Sequence, residues 1–319
     1  MRIIELFAGI GACSKALKNI GISIEIIDAV EIDKFAIKSF NAIHNTNFVT
    51  QDIKKWDKEI KNIDLIVHGS PCQDFSVAGR QAGGDENSGT RSSLMFETLR
   101  IVGNIKPNYV VWENVKNILS KKHIHNFNAY LKKMEELGYK NYYKVLNAKD
   151  YNIPQNRERV FTISIKKDIN KNFVFPEKQE LKLRLKDMLE EKVEQKYYLD
   201  KYLTLFKANK NKITSDIKIA GIIEKNKWRR YMKIVLLQDS ISSCLNTMQG
   251  GNTEPKVLIN VNSIKIRKLT PRECWRLMGF TDKNFEKVAL INSNAQLYKQ
   301  AGNSIVVNVL EAIFRNLFK

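Results

Sequence analysis

The chain has 319 residues, 43% of them hydrophobic and 27% charged, and its formal net charge is +19 at pH 7. This length exceeds the size of one small core and predicts a large domain with a smaller second one. The four cysteines form no CxxC pair, which argues against a disulfide framework or a structural zinc site.

The basic excess favours a polyanionic partner such as nucleic acid, because each neutralised phosphate releases counterions. A lysine-rich background composition accounts for part of the same charge. The sequence contains no apolar stretch of membrane-spanning length, and it begins with a strand in place of a signal-peptide pattern. We therefore expect no membrane association, a cytoplasmic location and no bound metal.

Residues 1–165 alternate apolar strands with helices. The predicted strands cover residues 2–7, 23–30, 64–68, 108–112, 139–146 and 160–165, with a further β-like stretch just before Asp52. The predicted helices cover residues 12–19, 33–44, 94–105 and 124–137. This alternation is typical of an α/β fold, in which helices cover both faces of a mostly parallel sheet.

The pattern decays after Lys166. Residues 167–266 are rich in lysine, and their short β-like runs at 217–223, 231–237 and 256–261 predict a smaller, irregular domain. Thr270 and Glu273 then form a predicted capping box, with Pro271 at the first helical position. Residues 303–318 are predicted to form the last amphipathic helix. We therefore expect one domain made of residues 1–166 and 267–319, and a second made of residues 167–266.

Two glycines, Gly9 and Gly11, lie between the first predicted strand and helix, where a tight turn can approach a ligand at a helix N-terminus. A dinucleotide-binding turn would have a third glycine at position 14, and this chain has Ser14. Glu31 ends the second strand, where an acid can accept hydrogen bonds from ribose hydroxyls. Asp52 could hold an adenine amino group. These residues predict a cofactor that contains adenosine and leave a nicotinamide cofactor open; simple solvent exposure is the alternative for either acid.

Cys72 follows the third strand in the segment Ser-Pro-Cys-Gln at residues 70–73, and Pro71 stiffens the backbone before it. The glycine-rich residues 74–93 have the composition of a mobile lid. A nucleophile and a buried structural cysteine are both consistent with this segment alone. Glu113 ends a neighbouring strand and can share a crevice with Cys72. Desolvation could keep its carboxyl protonated for donation to a base nitrogen, and capping of the next helix is the alternative.

Alternation along a strand places Gln155, Arg157 and Arg159 on one side. Two guanidinium groups there can bind phosphates, carboxylates or a pyrimidine carbonyl. A solvated charged edge is the alternative interpretation.

Taken in order, these segments resemble the motifs of the bacterial and phage DNA cytosine-5 methyltransferases. The matching segments are residues 7–11, Glu31, Asp52, residues 70–73, residues 113–115, Gln155-x-Arg157-x-Arg159, residues 267–279 and residues 300–304. Residues 170–262 lack a match, and this is where the family carries its variable target-recognition region. The resemblance implies a Rossmann-like fold dependent on S-adenosylmethionine and a methyl transfer to C5 of a flipped-out cytosine in a specific duplex sequence. Ile32 departs from the family pattern, since many members have a larger residue beside the adenine.

The resemblance also implies residue roles. Cys72 would form a covalent adduct with C6, and Glu113, Arg157 and Arg159 would assist it. Contacts to S-adenosylmethionine, and to the product S-adenosylhomocysteine, are expected from Phe7, Ala8, Gly9, Gly11, Glu31, Ile32, Asp52, Ile53, Pro71, Leu94, Asn303 and Ser304. DNA contacts are expected from Ser76, Arg80 and Gln81 in the lid and from Thr247, Gln249, Gly250, Gly251 and Asn252 in a reading loop, for which a simple hairpin turn is the alternative.

Double-stranded DNA is the expected partner of a monomeric enzyme, with a separately acting restriction endonuclease or a role in phage self-protection. A tRNA cytosine-5 methyltransferase is the nearest alternative function. A nicotinamide oxidoreductase and a DNA-binding protein without catalytic activity are more distant alternatives.

Overall fold

The computed structural model describes residues 1–71, 75, 90–200, 203, 206–208, 213–214, 216–223, 233–247, 253–260 and 264–319. Several predicted site residues lie outside these described residues: Cys72, Ser76, Arg80, Gln81, Gln249, Gly250, Gly251 and Asn252. The same holds for residues 74 and 76–89 of the predicted lid. Among the helices of the described residues, none combines the length and apolar character that a membrane span requires.

The described residues form strands and helices in the alternation that the sequence predicts. The strands are β1 (Arg2–Leu6), β2 (Glu25–Val30), β3 (Leu65–His68), β4 (Tyr109–Val115), β5 (Tyr139–Asn147), β6 (Gln155–Asn156), β7 (Glu158–Lys166), β8 (Phe206–Ala208), β9 (Ile213–Thr214), β10 (Ile217–Ile223), β11 (Lys233–Leu236), β12 (Ser242–Ser243), β13 (Lys256–Asn260) and β14 (Lys265–Lys268). The helices are α1 (Ala12–Asn19), α2 (Lys34–His44), α3 (Met95–Ile105), α4 (Ile124–Glu136), α5 (Pro271–Arg276), α6 (Asp282–Ala289), α7 (Asn294–Asn303) and α8 (Val307–Phe318).

One predicted strand is missing: residues 46–52, before Asp52, contain no regular strand. The side chain of Asn41 bonds both backbone groups of Phe48, donating to its carbonyl at 2.8 Å and accepting from its N–H at 3.0 Å. Because these two groups are taken by a side chain, they are not available to a neighbouring strand.

The chain divides into two compact units. The first contains residues 1–146, 158–177 and 309–319, and the second contains residues 147–157 and 178–308. The predicted domain bounds differ from this division, because residues 147–157 and 267–308 group with the middle of the chain and residues 167–177 group with the first unit. Contacts between helix α5 and Glu190 join residues 267–308 to the second unit, and hydrogen bonds of Gln155 and Arg157 to Leu245 join residues 147–157 to it.

The first unit is built on a six-stranded sheet with the order β2-β1-β3-β4-β7-β5. The pairs β1–β2, β1–β3 and β3–β4 are parallel, whereas β4 and β7 run antiparallel. The sheet is therefore the mostly parallel one that the sequence predicts. Chain order reverses at β1, with β2 on one side and β3 on the other, and such a switch point opens a crevice at the carboxyl ends of the strands.

Helices cover both faces of this sheet. Ile4 and Leu6 of β1 belong to a core cluster that includes residues of α3 and α4. Glu5 lies between them and points to the other face, where its carboxylate accepts a hydrogen bond from Ser14 of α1. Because side chains alternate along a strand, α1 and the pair α3 and α4 lie on opposite faces.

The second unit contains a separate sheet with the order β14-β13-β11-β10-β8, and β9 pairs with β10. Strands β11 and β13 pair in parallel, and every other described pair of this sheet is antiparallel. Its core is a small cluster of Leu199, Ile223, Val235, Leu258 and Ile266. This is the irregular, strand-containing middle region that the sequence predicts.

A buried ion pair holds the second unit together at the start of α5. Glu273 is fully buried and accepts from both terminal nitrogens of Arg267, at 2.8 and 2.6 Å. The same carboxylate accepts from the backbone N–H groups of Thr270 and Glu190, each at 2.8 Å. The predicted capping box is therefore present, and it also ties residue 190 to α5.

The end of the chain differs from the single predicted helix over residues 303–318. Helix α7 ends at Asn303, Ser304 follows in an extended conformation with ψ of 156°, and α8 begins at Val307. Asn303 and Ser304 thus end one helix and do not begin the last one. The extended backbone at Ser304 interrupts the helical pattern that the apolar spacing predicts.

We predict that Glu273→Gln lowers the free energy of unfolding by about 3–5 kcal/mol, because it leaves the buried Arg267 guanidinium without its counterion. The urea midpoint, followed by tryptophan fluorescence, measures the loss. Glu286→Gln is the matched control, since its exposed pair with Arg272 should contribute no more than about 1 kcal/mol. Equal midpoint shifts in the two variants would contradict the account.

Candidate functional site

Strands β1, β2 and β3 of the first sheet end in register, and β4 continues three residues beyond the same level. Val30 lies opposite Leu6, Leu6 lies opposite His68, and His68 lies opposite Trp112. We call these four buried residues the edge row. Phe7, Glu31 and Glu113 directly follow members of this row, and the chain toward Cys72 follows His68, so the register brings these segments to one edge of the sheet.

The turn at residues 7–11 leaves β1 through three left-handed residues. The φ angles of Phe7, Gly9 and Gly11 are +53°, +55° and +79°. A Cβ atom on Gly11 would lie 2.2 Å from Nε2 of His44, so glycine is required there by both space and conformation. A Cβ atom on Gly9 would meet only the Phe7 carbonyl, at 4.0 Å, so the backbone of Gly9 borders open space.

Glu31 is fixed by the same turn. One carboxylate oxygen accepts from the N–H of Gly9 at 2.9 Å, and the other accepts from the N–H of Asp33 at 2.8 Å. Burial raises the pKa of Glu31 above its ordinary value, although both hydrogen bonds oppose the rise. The next residue, Ile32, is 71% exposed, which is unusual for a large apolar side chain. The turn, the oriented carboxyl and the bare apolar surface form a compact cradle.

Asp52 and Ile53 begin a short 3-10 turn near this cradle. The backbone N–H of Gln51 donates to the Glu31 carbonyl at 2.8 Å, which places the segment beside β2. Asp52 caps the turn by accepting from the N–H of Lys54 at 3.0 Å. Ile53 is buried in the core cluster, so its side chain supports the turn from below.

Beneath the turn lies a buried acid that the sequence reasoning missed. The Glu5 carboxylate accepts from the backbone N–H of Ser14 at 3.0 Å and also contacts the Ser14 hydroxyl. This pairing explains the serine at the position where a dinucleotide-binding turn has glycine. Burial raises the pKa of Glu5 to about 7. The available signal was a lone acid inside the apolar run of residues 3–6.

Glu113 follows Trp112 of the edge row on β4. Its carboxylate lies 3.0 Å from Nε of Arg159, and the two side chains are 11% and 17% exposed. Arg159 lies on β7, which pairs with β4 so that Val115 faces Arg159. The sequence predicts a desolvated carboxyl at Glu113, and the structure adds a guanidinium partner, Arg159.

The hydrogen bonds of Arg157 differ from the expectation that its guanidinium acts together with that of Arg159. It is buried in the second unit, where its two terminal nitrogens donate to the carbonyls of Leu245, Gly302 and Ser304 at 2.9–3.0 Å. Gln155 completes this arrangement by accepting from the Leu245 N–H at 3.0 Å. Arg157 lies between β6 and β7, and its guanidinium binds backbone carbonyls and thereby positions residues 245 and 302–304.

Three other predicted contact residues are described by the structure. Pro71 is partly buried, and Leu94 ends a 3-10 turn and packs against the core cluster. Thr247 belongs to the predicted reading loop, and residues 248–252 of that loop lie outside the described residues. Among the described residues, no group of three or more His, Cys, Asp or Glu is arranged to hold a metal ion.

The family model described as C-5 cytosine-specific DNA methylase matches residues 1–319. The chain belongs to this family. Type II methyltransferase M2.ScrFI of Lactococcus lactis subsp. cremoris is 38% identical, with 100% of this chain and 99% of that protein covered. Type II methyltransferase M.HhaI of Haemophilus parahaemolyticus is 36% identical, with 99% of this chain and 94% of that protein covered.

Solved structures share the fold of this C-5 cytosine methylase. A putative DNA modification methyltransferase encoded within an Escherichia coli prophage has a TM-score of 0.71 at 20% identity, covering 100% of this chain and 98% of that one. A Spodoptera frugiperda DNMT2 variant has a TM-score of 0.75 at 18% identity, covering 100% of this chain and 99% of that one. These likenesses confirm the predicted S-adenosylmethionine-dependent methyltransferase fold.

Membership of the C-5 cytosine methylase family identifies the chain as a DNA methyltransferase. The family and its curated relatives do not favour the tRNA alternative. They also leave the nicotinamide oxidoreductase and the non-catalytic DNA-binding protein without support.

We predict that the methylase becomes less stable as the pH rises from about 5 to 8, in part because of Glu5. Its pKa is about 7 in the folded state against an ordinary value of 4.5, so folding favours the protonated carboxyl and this stabilisation is lost as the pH passes 7. Glu5→Gln should therefore gain up to about 3 kcal/mol over the unmodified chain between pH 5 and pH 8.

Urea unfolding at the two pH values measures this difference. Glu25→Gln, an exposed substitution on the adjacent strand, is the control and should show no such gain. Parallel pH dependence of Glu5→Gln and the unmodified chain would show that the buried carboxyl does not titrate in this range.

Proposed function

We propose that this methyltransferase acts on a cytosine flipped out of duplex DNA, through a covalent bond between Cys72 and C6 of the base. The observation that carries the proposal is the pairing of His68 with Trp112. Through it, Glu113 lies on β4 beside the chain that leads from β3 to Cys72. A group that can donate to the base and the chain to the nucleophile thus belong to neighbouring strands of one sheet.

The chemistry requires an activated thiol. A free cysteine has a pKa near 8.5 and is only about 3% thiolate at pH 7, so a nearby cation must assist. Arg159 supplies that cation in our proposal, because Arg157 is engaged with backbone carbonyls. The thiolate of Cys72 forms the S–C6 bond while Glu113 donates a proton or a strong hydrogen bond to N3. Electron density then moves to C5, which is otherwise a poor nucleophile.

Completion of the reaction reverses the first step. S-adenosylmethionine, when bound, supplies an electrophilic methyl group. After C5 has gained the methyl carbon and S-adenosylhomocysteine has been released, a water molecule takes the C5 proton. The electron pair of that C–H bond forms the C5–C6 double bond again, the sulfur of Cys72 leaves as a thiolate, and the proton held at N3 returns to Glu113. Arg159 orients the Glu113 carboxyl throughout, because its guanidinium holds one carboxylate oxygen at 3.0 Å.

The cradle around Gly9 fits the adenosine part of S-adenosylmethionine. The Glu31 carboxyl, fixed by two backbone N–H groups, can accept from ribose hydroxyls. The exposed Ile32 offers an apolar surface to a purine ring. Asp52 lies on the segment that bonds to Glu31 and remains our candidate for the adenine amino group. The other proposed contacts are Phe7, Ala8, Gly11, Ile53, Pro71, Leu94, Asn303 and Ser304.

The target base must leave the duplex before any of these groups can reach it, which costs a few kcal/mol of unstacking and unpairing. We assign contacts to the extruded nucleotide to Ser76, Arg80 and Gln81. Base reading is assigned to Thr247, Gln249, Gly250, Gly251 and Asn252, since amide side chains can pair with adenine edges. The net charge of +19 supports phosphate contacts by the surrounding lysines.

We also propose that the enzyme works as a monomer on double-stranded DNA. A cognate restriction endonuclease would act as a separate protein, and the type II designation of M2.ScrFI and M.HhaI supports such a setting. Self-protection of a phage is the other setting, supported by the Bacillus phage SPbeta relative that is 32% identical.

We predict that Cys72→Ala lowers methyl transfer by at least about a thousandfold, because the covalent route is lost. Labelled S-adenosylmethionine and mixed-sequence duplex DNA measure the rate, and sequencing of methylated cytosines in DNA from expressing cells reports the target sequence. Cys274→Ala, in the core of the second unit, is the control and should retain the rate. Full activity of Cys72→Ala would refute the covalent route, and transfer to tRNA alone would refute the DNA substrate.

A further inference from the structure

Ser70, two residues before Cys72, is held by the neighbouring strand. Its buried hydroxyl oxygen accepts a hydrogen bond from the indole N–H of Trp112 at 2.9 Å and from the side-chain amide of Asn114 at 3.4 Å. Trp112 and Asn114 flank Glu113 on β4. The chain that leads to Cys72 is thus bonded to the residues on either side of Glu113.

The indole that donates to Ser70 has a fixed orientation. Trp112 stacks on His68 with an interplanar angle of 10°, and its ring centroid lies 4.1 Å from that of Tyr130 and 5.6 Å from that of Phe127. The Tyr130 hydroxyl lies 2.9 Å from Nε2 of His68. Because aromatic contacts on several sides hold the ring, the direction of its N–H is set by packing.

A second contact holds the chain just beyond Cys72. Phe75 is buried in the core cluster, and its carbonyl accepts from the side-chain amide of Asn117 at 2.6 Å. Asn117 belongs to the 3-10 turn Lys116–Leu119, which directly follows β4. The backbone is therefore fixed at residues 70 and 75, both times by groups on β4 or the turn after it.

We propose that Ser70 is a positioning residue for methyl transfer: by accepting the indole N–H of Trp112, it holds the chain that leads to Cys72 beside the strand that carries Glu113. Asn117 does the same from the other side through Phe75. This inference rests on the proposed function, because it takes Cys72 and Glu113 as the reacting pair. Loss of the hydroxyl leaves two buried donors without an acceptor, so the segment must shift to restore a partner.

We predict that Ser70→Ala lowers kcat about 10- to 100-fold, since a displacement near 1 Å costs about that much, while KM for S-adenosylmethionine and for duplex DNA changes less than about threefold. Trp112→Phe, which keeps an aromatic ring but removes the donor, should lower kcat similarly. The double variant should be no slower than the slower single variant, because both changes remove the same bond between Trp112 and Ser70. Multiplied effects in the double variant would overturn the proposal.

Ser164→Ala is the matched control. Ser164 is also buried in the first sheet and its hydroxyl donates to the side-chain oxygen of Asn141 at 2.7 Å, but it pairs with Val110 and its hydroxyl makes no contact with the chain to Cys72 that the structure describes. It should lose stability and keep kcat. If Ser164→Ala lowers kcat as much as Ser70→Ala, the effect is general destabilisation and the positioning role is refuted.

Asn117→Ala tests the same idea at a partly buried position, should Ser70→Ala fold poorly. It should also lower kcat with little change in KM, and an unchanged kcat would count against the proposal. The experiments distinguish failure of the proposed function from failure of the positioning role. Activity that survives Cys72→Ala overturns the proposed function, whereas activity that requires Cys72 but survives Ser70→Ala overturns only the positioning role.

Discussion

The alignment of the edge row, Val30, Leu6, His68 and Trp112, is the constraint on which the first unit depends. Parallel pairing fixes these four residues side by side, so the segments that follow them must begin at one edge of the sheet. A slip of one residue in any pair would turn every following side chain to the opposite face. The cofactor cradle, the chain to Cys72 and Glu113 thus share a single geometric cause, and the apolar burial of the row sets it.

Polar groups then convert this coarse alignment into a precise one. The Glu31 carboxyl is fixed by backbone donors at Gly9 and Asp33, and Glu113 is held by Arg159. In the second unit, Arg157 holds backbone carbonyls in the same way. In each case a charged side chain forms hydrogen bonds with buried or partly buried groups. These bonds offset the desolvation of the charge, and their geometry fixes the orientation of the side chain.

Sequence pattern predicted the strands of the first sheet and helices α1 to α4, because apolar periodicity and terminal glycines report local structure directly. Ordered motifs predicted the family. The pattern failed where distant backbone groups decide the outcome. Arg157 finds its partners at residues 245, 302 and 304, the strand expected before Asp52 is replaced by bonds to Asn41, and the last helix is broken at Ser304. The sequence signal for Glu5 is a single acid inside an apolar strand, and its partner Ser14 is visible only in the folded structure. The Ser70–Trp112 bond has no local signal, because its two residues are 42 positions apart.

The central claim is that Cys72 bonds covalently to a cytosine in DNA. Duplex DNA that carries 5-fluorocytosine at the target position tests it, because fluorine cannot leave C5 as a proton does and the sulfur therefore stays attached. Incubation with S-adenosylmethionine, followed by intact-mass measurement and peptide mapping, should find one DNA strand linked to each chain at Cys72. Methyl transfer to ordinary cytosine without any such adduct, or an adduct at Cys13, Cys244 or Cys274, would contradict the account.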